Sequence, residues 1–142
     1  MKKFEFRMQR ILSIKEKTEE LLKQELGRLV QRKKGYEEVK AYFAKQMQEE
    51  FGKIRDSKSF TSVDKIMAEN YITGIKNDIY KQDLMVKDYE LKIDKKRAEI
   101  QENRKEIKIL DNLKDKQKEQ YNYDLMLFER KEMDEVASSR RR

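Results

Sequence analysis

Between Ile72 and Leu110 the chain places an apolar residue at every seventh position: Ile72, Ile79, Val86, Ile93, Ile100 and Ile107, all β-branched. Three positions on from each lie Ile75, Gln82, Tyr89, Lys96, Asn103 and Leu110. This is a heptad seam with position a filled and position d mixed. A strict seven-residue spacing falls slightly short of two turns of a straight helix. A helix that keeps it winds left-handedly around a partner. Polar d positions weaken such a seam, and they can fix its register.

The partner is found upstream. Residues 3–55 read as a first helix along the path Phe4, Met8, Ile11, Leu21 or Leu22, Leu26, Leu29, Tyr36, Val39, Phe43, Met47, Phe51 and Ile54. The path is poor in its middle, where Lys15 and Thr18 stand at expected apolar positions, and Gly27 and Gly35 soften the helix. A break follows at DSKSFTSV, residues 56–63, whose hydroxyl side chains compete for backbone hydrogen bonds. Thr61 and Asp64 have the spacing of a capping box and place the restart near residue 62. The predicted fold is all-α: a long antiparallel two-helix coiled-coil hairpin, second helix longer than the first. It forms one coiled-coil domain over 1–142, with helix 3–55, turn 56–62, helix 63–138 and basic tail 139–142. The helices would be about 80 Å and about 110 Å long. A turn centred near Ser59 sets position i against about 117 minus i, which puts Phe4 near Leu113 and leaves the last 20 or so residues without a partner in the chain.

Composition sharpens this picture by exclusion. There is no proline, cysteine, histidine or tryptophan, and 44% of residues are charged against 37% hydrophobic. A thin seam needs less apolar surface than a globular core, and proline-free sequence suits unbroken helices. Disulfides, Cys/His metal sites and imidazole catalysis are excluded. No phosphate-binding glycine loop or nucleophile–base pair is present, so neither catalysis nor a cofactor nor a metal is expected. No apolar run approaches membrane-spanning length, and the start MKKFEFRMQR lacks a signal-peptide core, so the expectation is a soluble intracellular chain with no direct membrane insertion. The net charge of +7 is spread among interleaved acids, which argues against nucleic acid as a partner and for solvated helix faces.

Two apolar constellations lie off the seam. Past Leu110 the seven-residue step gives way to Leu113, Gln117, Tyr121, Leu125 and Phe128, with Met133 and Val136 beyond. The segment YNYDLMLF, residues 121–128, has apolar or aromatic residues over more than one helix face. It is either a thicker end of the hairpin packed on Phe4, Phe6, Met8 and Ile11, or an exposed end that docks in a partner. Near the turn, Tyr42, Phe51, Tyr71, Tyr80, Leu84 and Met85 flank the seam residues Phe43, Met47, Ile72, Ile75 and Ile79. They either broaden the seam or form a second partner site.

Two end motifs carry a resemblance. Phe4-Glu5-Phe6-Arg7-Met8, followed by Ile11-Leu12 and Ile14-Lys15-Glu16, resembles the start of FliJ proteins, coiled-coil components of the flagellar type III export apparatus. Glu129-Arg130-Lys131-Glu132-Met133-Asp134-Glu135-Val136-Ala137, with Arg140, resembles that family's C-terminal E-x-K-x-hydrophobic-D-E signature. The resemblance covers essentially the whole chain. It implies a stalk with both chain ends at one tip, and a tip that enters the central hole of the hexameric flagellar export ATPase. The matching positions are Phe4, Phe6, Arg7, Met133, Asp134 and Arg140; Leu125 and Phe128 join them from the overhang alone. The resemblance also implies binding to the cytoplasmic domain of the export gate through a run matching Tyr71, Ile72, Ile75 and Ile79, with Gln82 at the right spacing. Asp78 stands where some members have a small residue. Tyr42, Phe43, Met47 and Phe51 are candidates for the first-helix part of that patch. Export chaperones are further expected partners, and the implied location is the inner face of the cell membrane, reached through the export apparatus. The alternatives are the equivalent stalk of a virulence secretion system, a self-associating structural coiled coil and a nucleic-acid-binding coiled coil.

Overall fold

A computed structural model describes residues 2–141. It contains two α-helices, α1 (Gln9–Asp56) and α2 (Ser62–Arg140), of 48 and 79 residues. The fold is an all-α two-helix hairpin whose second helix is the longer, with no strand among the described residues. Thr61 caps α2 as its spacing predicts: the Asp64 N–H donates to Thr61 Oγ1 at 3.1 Å, and the Thr61 N–H donates to Asp64 Oδ2 at 3.1 Å. The Thr61 backbone N–H, and then its hydroxyl, hold the Asp64 carboxyl below the usual carboxylate range.

The start of α1 departs from the sequence reading. Residues 2–8 are not helical, and the Gln9 N–H donates to the Phe6 carbonyl at 3.0 Å in the turn that opens the helix. The cause is visible in the residues themselves. Phe4 and Phe6 alternate with polar Glu5, a spacing of two that puts both rings on one side of an uncoiled backbone but not of a helix, and Arg7 and Met8 form the turn.

The chain divides into two compact units, Met1–Leu22 with Glu99–Arg142, and Lys23–Ala98. In the first, Phe6, Leu12 and Leu110 form a buried cluster, with Phe4, Met8 and Ile107 packed around it. Leu12 is the most enclosed residue at 1% exposure, whereas Ile11, the residue on the predicted path, is 44% exposed. Asn103 is buried at a d position and donates from Nδ2 to the Lys15 carbonyl at 2.8 Å. Lys15 pairs with Glu106, and Arg104 Nε with Glu19 at 2.6 Å.

In the second unit Ala68, Ile72, Ile75, Val86, Tyr89 and Ile93 are the buried residues of α2. Tyr36 and Tyr89 stack with ring centroids 5.4 Å apart. Arg32 Nη1 donates to the Tyr89 hydroxyl oxygen at 3.5 Å, which lowers the pKa of the phenol and raises that of the guanidinium. Lys40 and Lys87 reach Asp83 at 2.9 and 3.1 Å, and hydrogen bonds from the two, Lys40's the larger, pull its carboxyl below the usual range. Lys33 meets Glu90 at 3.4 Å and Lys96 meets Glu25 at 2.7 Å.

These contacts reveal the α1 seam. Its inward positions are Leu12, Lys15, Glu19, Leu22, Leu26, Leu29, Lys33, Tyr36, Lys40, Phe43, Met47, Glu50 and Ile54, all buried or half-buried. The steps alternate three and four without a gap, so α1 has an unbroken heptad. Hydrophobicity conceals it, because five of those positions are charged. Their aliphatic stems cover the seam, and the heads of Lys15, Glu19, Lys33 and Lys40 pair across it. The same pairs set the register. The residue numbers of Lys40–Asp83 and Arg104–Glu19, and of Lys15–Glu106 and Lys96–Glu25, add up to about 122, not the 117 of a symmetric turn. Phe4 accordingly meets Tyr121, with ring centroids 5.7 Å apart, and not Leu113. The register shift supplies part of the displacement. The non-helical start supplies the rest, since uncoiled backbone advances farther per residue than the about 1.5 Å of helix.

Candidate partner-binding surfaces

The first surface is the end of α2. Gln9, at the start of α1, accepts a hydrogen bond from Lys114 Nζ at 2.7 Å. Beyond this level α2 is accompanied by the non-helical residues 2–8, as far as Tyr121, whose hydroxyl donates to the Lys2 carbonyl. Past Tyr121 every described residue is exposed except half-buried Leu125. Tyr123, Met126, Leu127 and Phe128 are 54%, 49%, 42% and 41% exposed, and Met133 and Val136 are exposed further on. Leu125, Met126, Leu127 and Phe128 are consecutive, so they point to all sides of the helix.

The predicted tip residues therefore divide by role. Phe6 is buried against Leu12 and Leu110, and Phe4 is half-buried on Tyr121; Arg7 is exposed. Leu125 is half-buried, while Phe128, Met133, Asp134 and Arg140 line the bare helix. The two readings of YNYDLMLF split at Tyr121: Tyr121 is the residue covered by Phe4, and the remainder is an exposed end. Arg140 lies in the last helical turn, where positive charge suits the dipole. Arg142, the last of the tail's arginines, lies outside the described residues.

The second surface lies in the Lys23–Ala98 unit. A register near 122 sets Phe51 level with Tyr71, Met47 with Ile75 and Phe43 with Ile79. Tyr42, Phe51 and Tyr71 are 58%, 46% and 48% exposed. The Tyr42 and Phe43 rings lie 5.9 Å apart, and Gln46 Nε2 donates to the Tyr42 hydroxyl oxygen at 2.7 Å. Ile72 and Ile75 are buried in the seam, and Phe43, Met47, Ile79 and Gln82 are half-buried. Gln82 Oε1 is buried without a hydrogen-bond partner among the described residues. Of the predicted gate residues, Tyr42, Phe51 and Tyr71 are thus the ones most open to a partner; Tyr42 and Phe51, nine residues apart, project from opposite sides of α1.

This surface extends further toward the turn than the sequence reading placed it. Phe60, Val63, Ile66 and Met67 are exposed, and Phe60 and Met67 line a groove with Ile54, Ala68 and Tyr71. The missed signal is a second apolar line, Val63, Met67 and Tyr71, spaced four apart beside the heptad seam.

Among the described residues no cluster of three or more His, Cys, Asp or Glu side chains is placed to hold a metal ion, and no helix is long and apolar enough to cross a membrane. The described residues thus form a charged helical hairpin that exposes two apolar regions. The model of the FliJ family, described as flagellar FliJ protein, matches residues 4–142, and the chain belongs to that family. It is therefore a flagellar export-related protein of a structural and adaptor family. No curated protein and no solved structure matches the chain.

Proposed function

We propose that this chain is a non-enzymatic stalk and adaptor of the flagellar type III export ATPase complex. The bare end of α2 binds the hexameric export ATPase along its ring axis, and the aromatic surface near the turn binds the cytoplasmic domain of the export gate. Export chaperones are its third class of partner, and it works in the cytoplasm, held at the inner face of the membrane through the export apparatus. One observation carries this reading: past Tyr121, one turn of α2, Leu125 to Phe128, presents apolar side chains on all its sides. An amphipathic helix that lies in a groove keeps one stripe. A full turn of apolar side chains, Leu125 to Phe128, matches an enclosing site, and the bore of a ring supplies one. The direct test is to add the chain to purified export ATPase and follow ATP hydrolysis. Stimulation supports the reading, and its absence at saturating chain removes it.

The gate surface has its own expected result. Tyr71→Ala removes an exposed ring and should weaken binding to the gate's cytoplasmic domain by about tenfold, the scale of an aromatic anchor. Helicity and ATPase stimulation should be unchanged, because the bare end of α2 belongs to the other unit. Ile75→Ala makes the informative control: Ile75 is buried in the seam, so its loss should lower thermal stability as well. Unchanged gate affinity for Tyr71→Ala, measured by isothermal titration, would remove Tyr71 from the site.

A further inference from the structure

We propose that residues 2–8 are a clamp that stops α2 from fraying past Tyr121, with Phe4 and Tyr121 as its positioning pair. α1 ends its accompaniment of α2 near Lys114, which donates to Gln9. Without further support α2 would continue from there to Arg140 as a lone, highly charged helix. Such helices are marginal in water and fray from their ends. The non-helical segment supplies support two turns further along. Phe6 anchors it in the cluster with Leu12 and Leu110, Phe4 lies on the Tyr121 ring, and the Tyr121 hydroxyl donates to the Lys2 carbonyl.

The placement gives the clamp a purpose. Tyr121 is the last residue before the apolar end, so a fray that begins at Arg140 is halted where that end is rooted. A binding segment whose root is held helical leaves fewer residues to be ordered on association. Phe4 and Phe6, which face α2, then act through α2 and do not touch a partner. The effect on the ATPase rests on the function proposed above, whereas the effect on α2 does not.

The test is amide hydrogen exchange on the full chain, read by segment. Phe4→Ala should accelerate exchange of residues 114–121 by about tenfold, toward the rate of residues 122–138, and leave Lys23–Ala98 unchanged. Phe4→Tyr keeps the ring and should keep the protection. Unchanged exchange at 114–121 in Phe4→Ala, or equal acceleration in Lys23–Ala98, would overturn the clamp. In the ATPase assay Phe4→Ala should raise the concentration giving half-maximal stimulation and leave the maximum intact. Lost stimulation with unaltered exchange would make Phe4 a direct contact and overturn the clamp. Should the native chain fail to stimulate the ATPase, the ring-binding reading falls, and the exchange measurement still decides the clamp.

Discussion

Removal of residues 122–142 should abolish stimulation of the flagellar export ATPase and leave the hairpin helical. The cut falls after Tyr121, so Phe4 keeps its ring partner and the buried cluster of Phe6, Leu12 and Leu110 is untouched. Every described residue removed is exposed except half-buried Leu125, and the deletion therefore costs little packing. It does remove Leu125 to Phe128, Met133 and Val136, the apolar surface that an enclosing partner would cover. Circular dichroism should show loss of signal in proportion to the missing residues, with cooperative melting retained. Gate binding, proposed above for the Lys23–Ala98 unit, should persist. Full stimulation by the 1–121 fragment would remove the end of α2 from the ATPase site and leave the gate adaptor as the remaining role.

The second large effect concerns two adjacent residues. Leu12→Ala should destabilise the chain by about 2–3 kcal/mol, toward the low end of the range for buried leucine because the seam is thin and open to solvent. Ile11→Ala should cost less than about 1 kcal/mol, since Ile11 is 44% exposed and Leu12 is 1% exposed. Thermal or urea denaturation separates them. Equal losses would mean that α1 presents a different face, and the charged heptad assigned to it would be wrong.

That contrast also shows how far the sequence was legible. α2 announced itself, because its a positions are all β-branched and a seven-residue period needs no structure to be seen. The break and the Thr61 cap were equally plain, since their chemistry is local. The α1 seam was not legible by hydrophobicity, because Lys15, Glu19, Lys33, Lys40 and Glu50 occupy positions where an apolar residue was sought. What these positions have in common is the reach of their stems, and their partners sit on the other helix, many residues away. The register followed the same cause: it is set by cross-helix ion pairs that a count from the turn cannot anticipate. At the start of the chain the two-residue spacing of Phe4 and Phe6 was present in the sequence, but a helical path could also be drawn through Phe4 and Met8. For the candidate sites, residue type located both surfaces. It did not separate the exposed rings of Tyr42, Phe51 and Tyr71 from the seam residues Ile72 and Ile75 beneath them, because that separation depends on which way each helix is turned.

Enclosure of the end of α2 by a partner ring can be reached directly by one measurement. A photo-cross-linking amino acid is placed in turn at Leu125, Met126, Leu127 and Phe128, four consecutive positions that together face every side of the helix. Each full-length variant is irradiated with the hexameric export ATPase, and the adducts are mapped by mass spectrometry. All four positions should cross-link to the ATPase, at residues lining the ring's axis. Cross-links from one side of the helix alone, from none, or only to further copies of this chain would contradict enclosure.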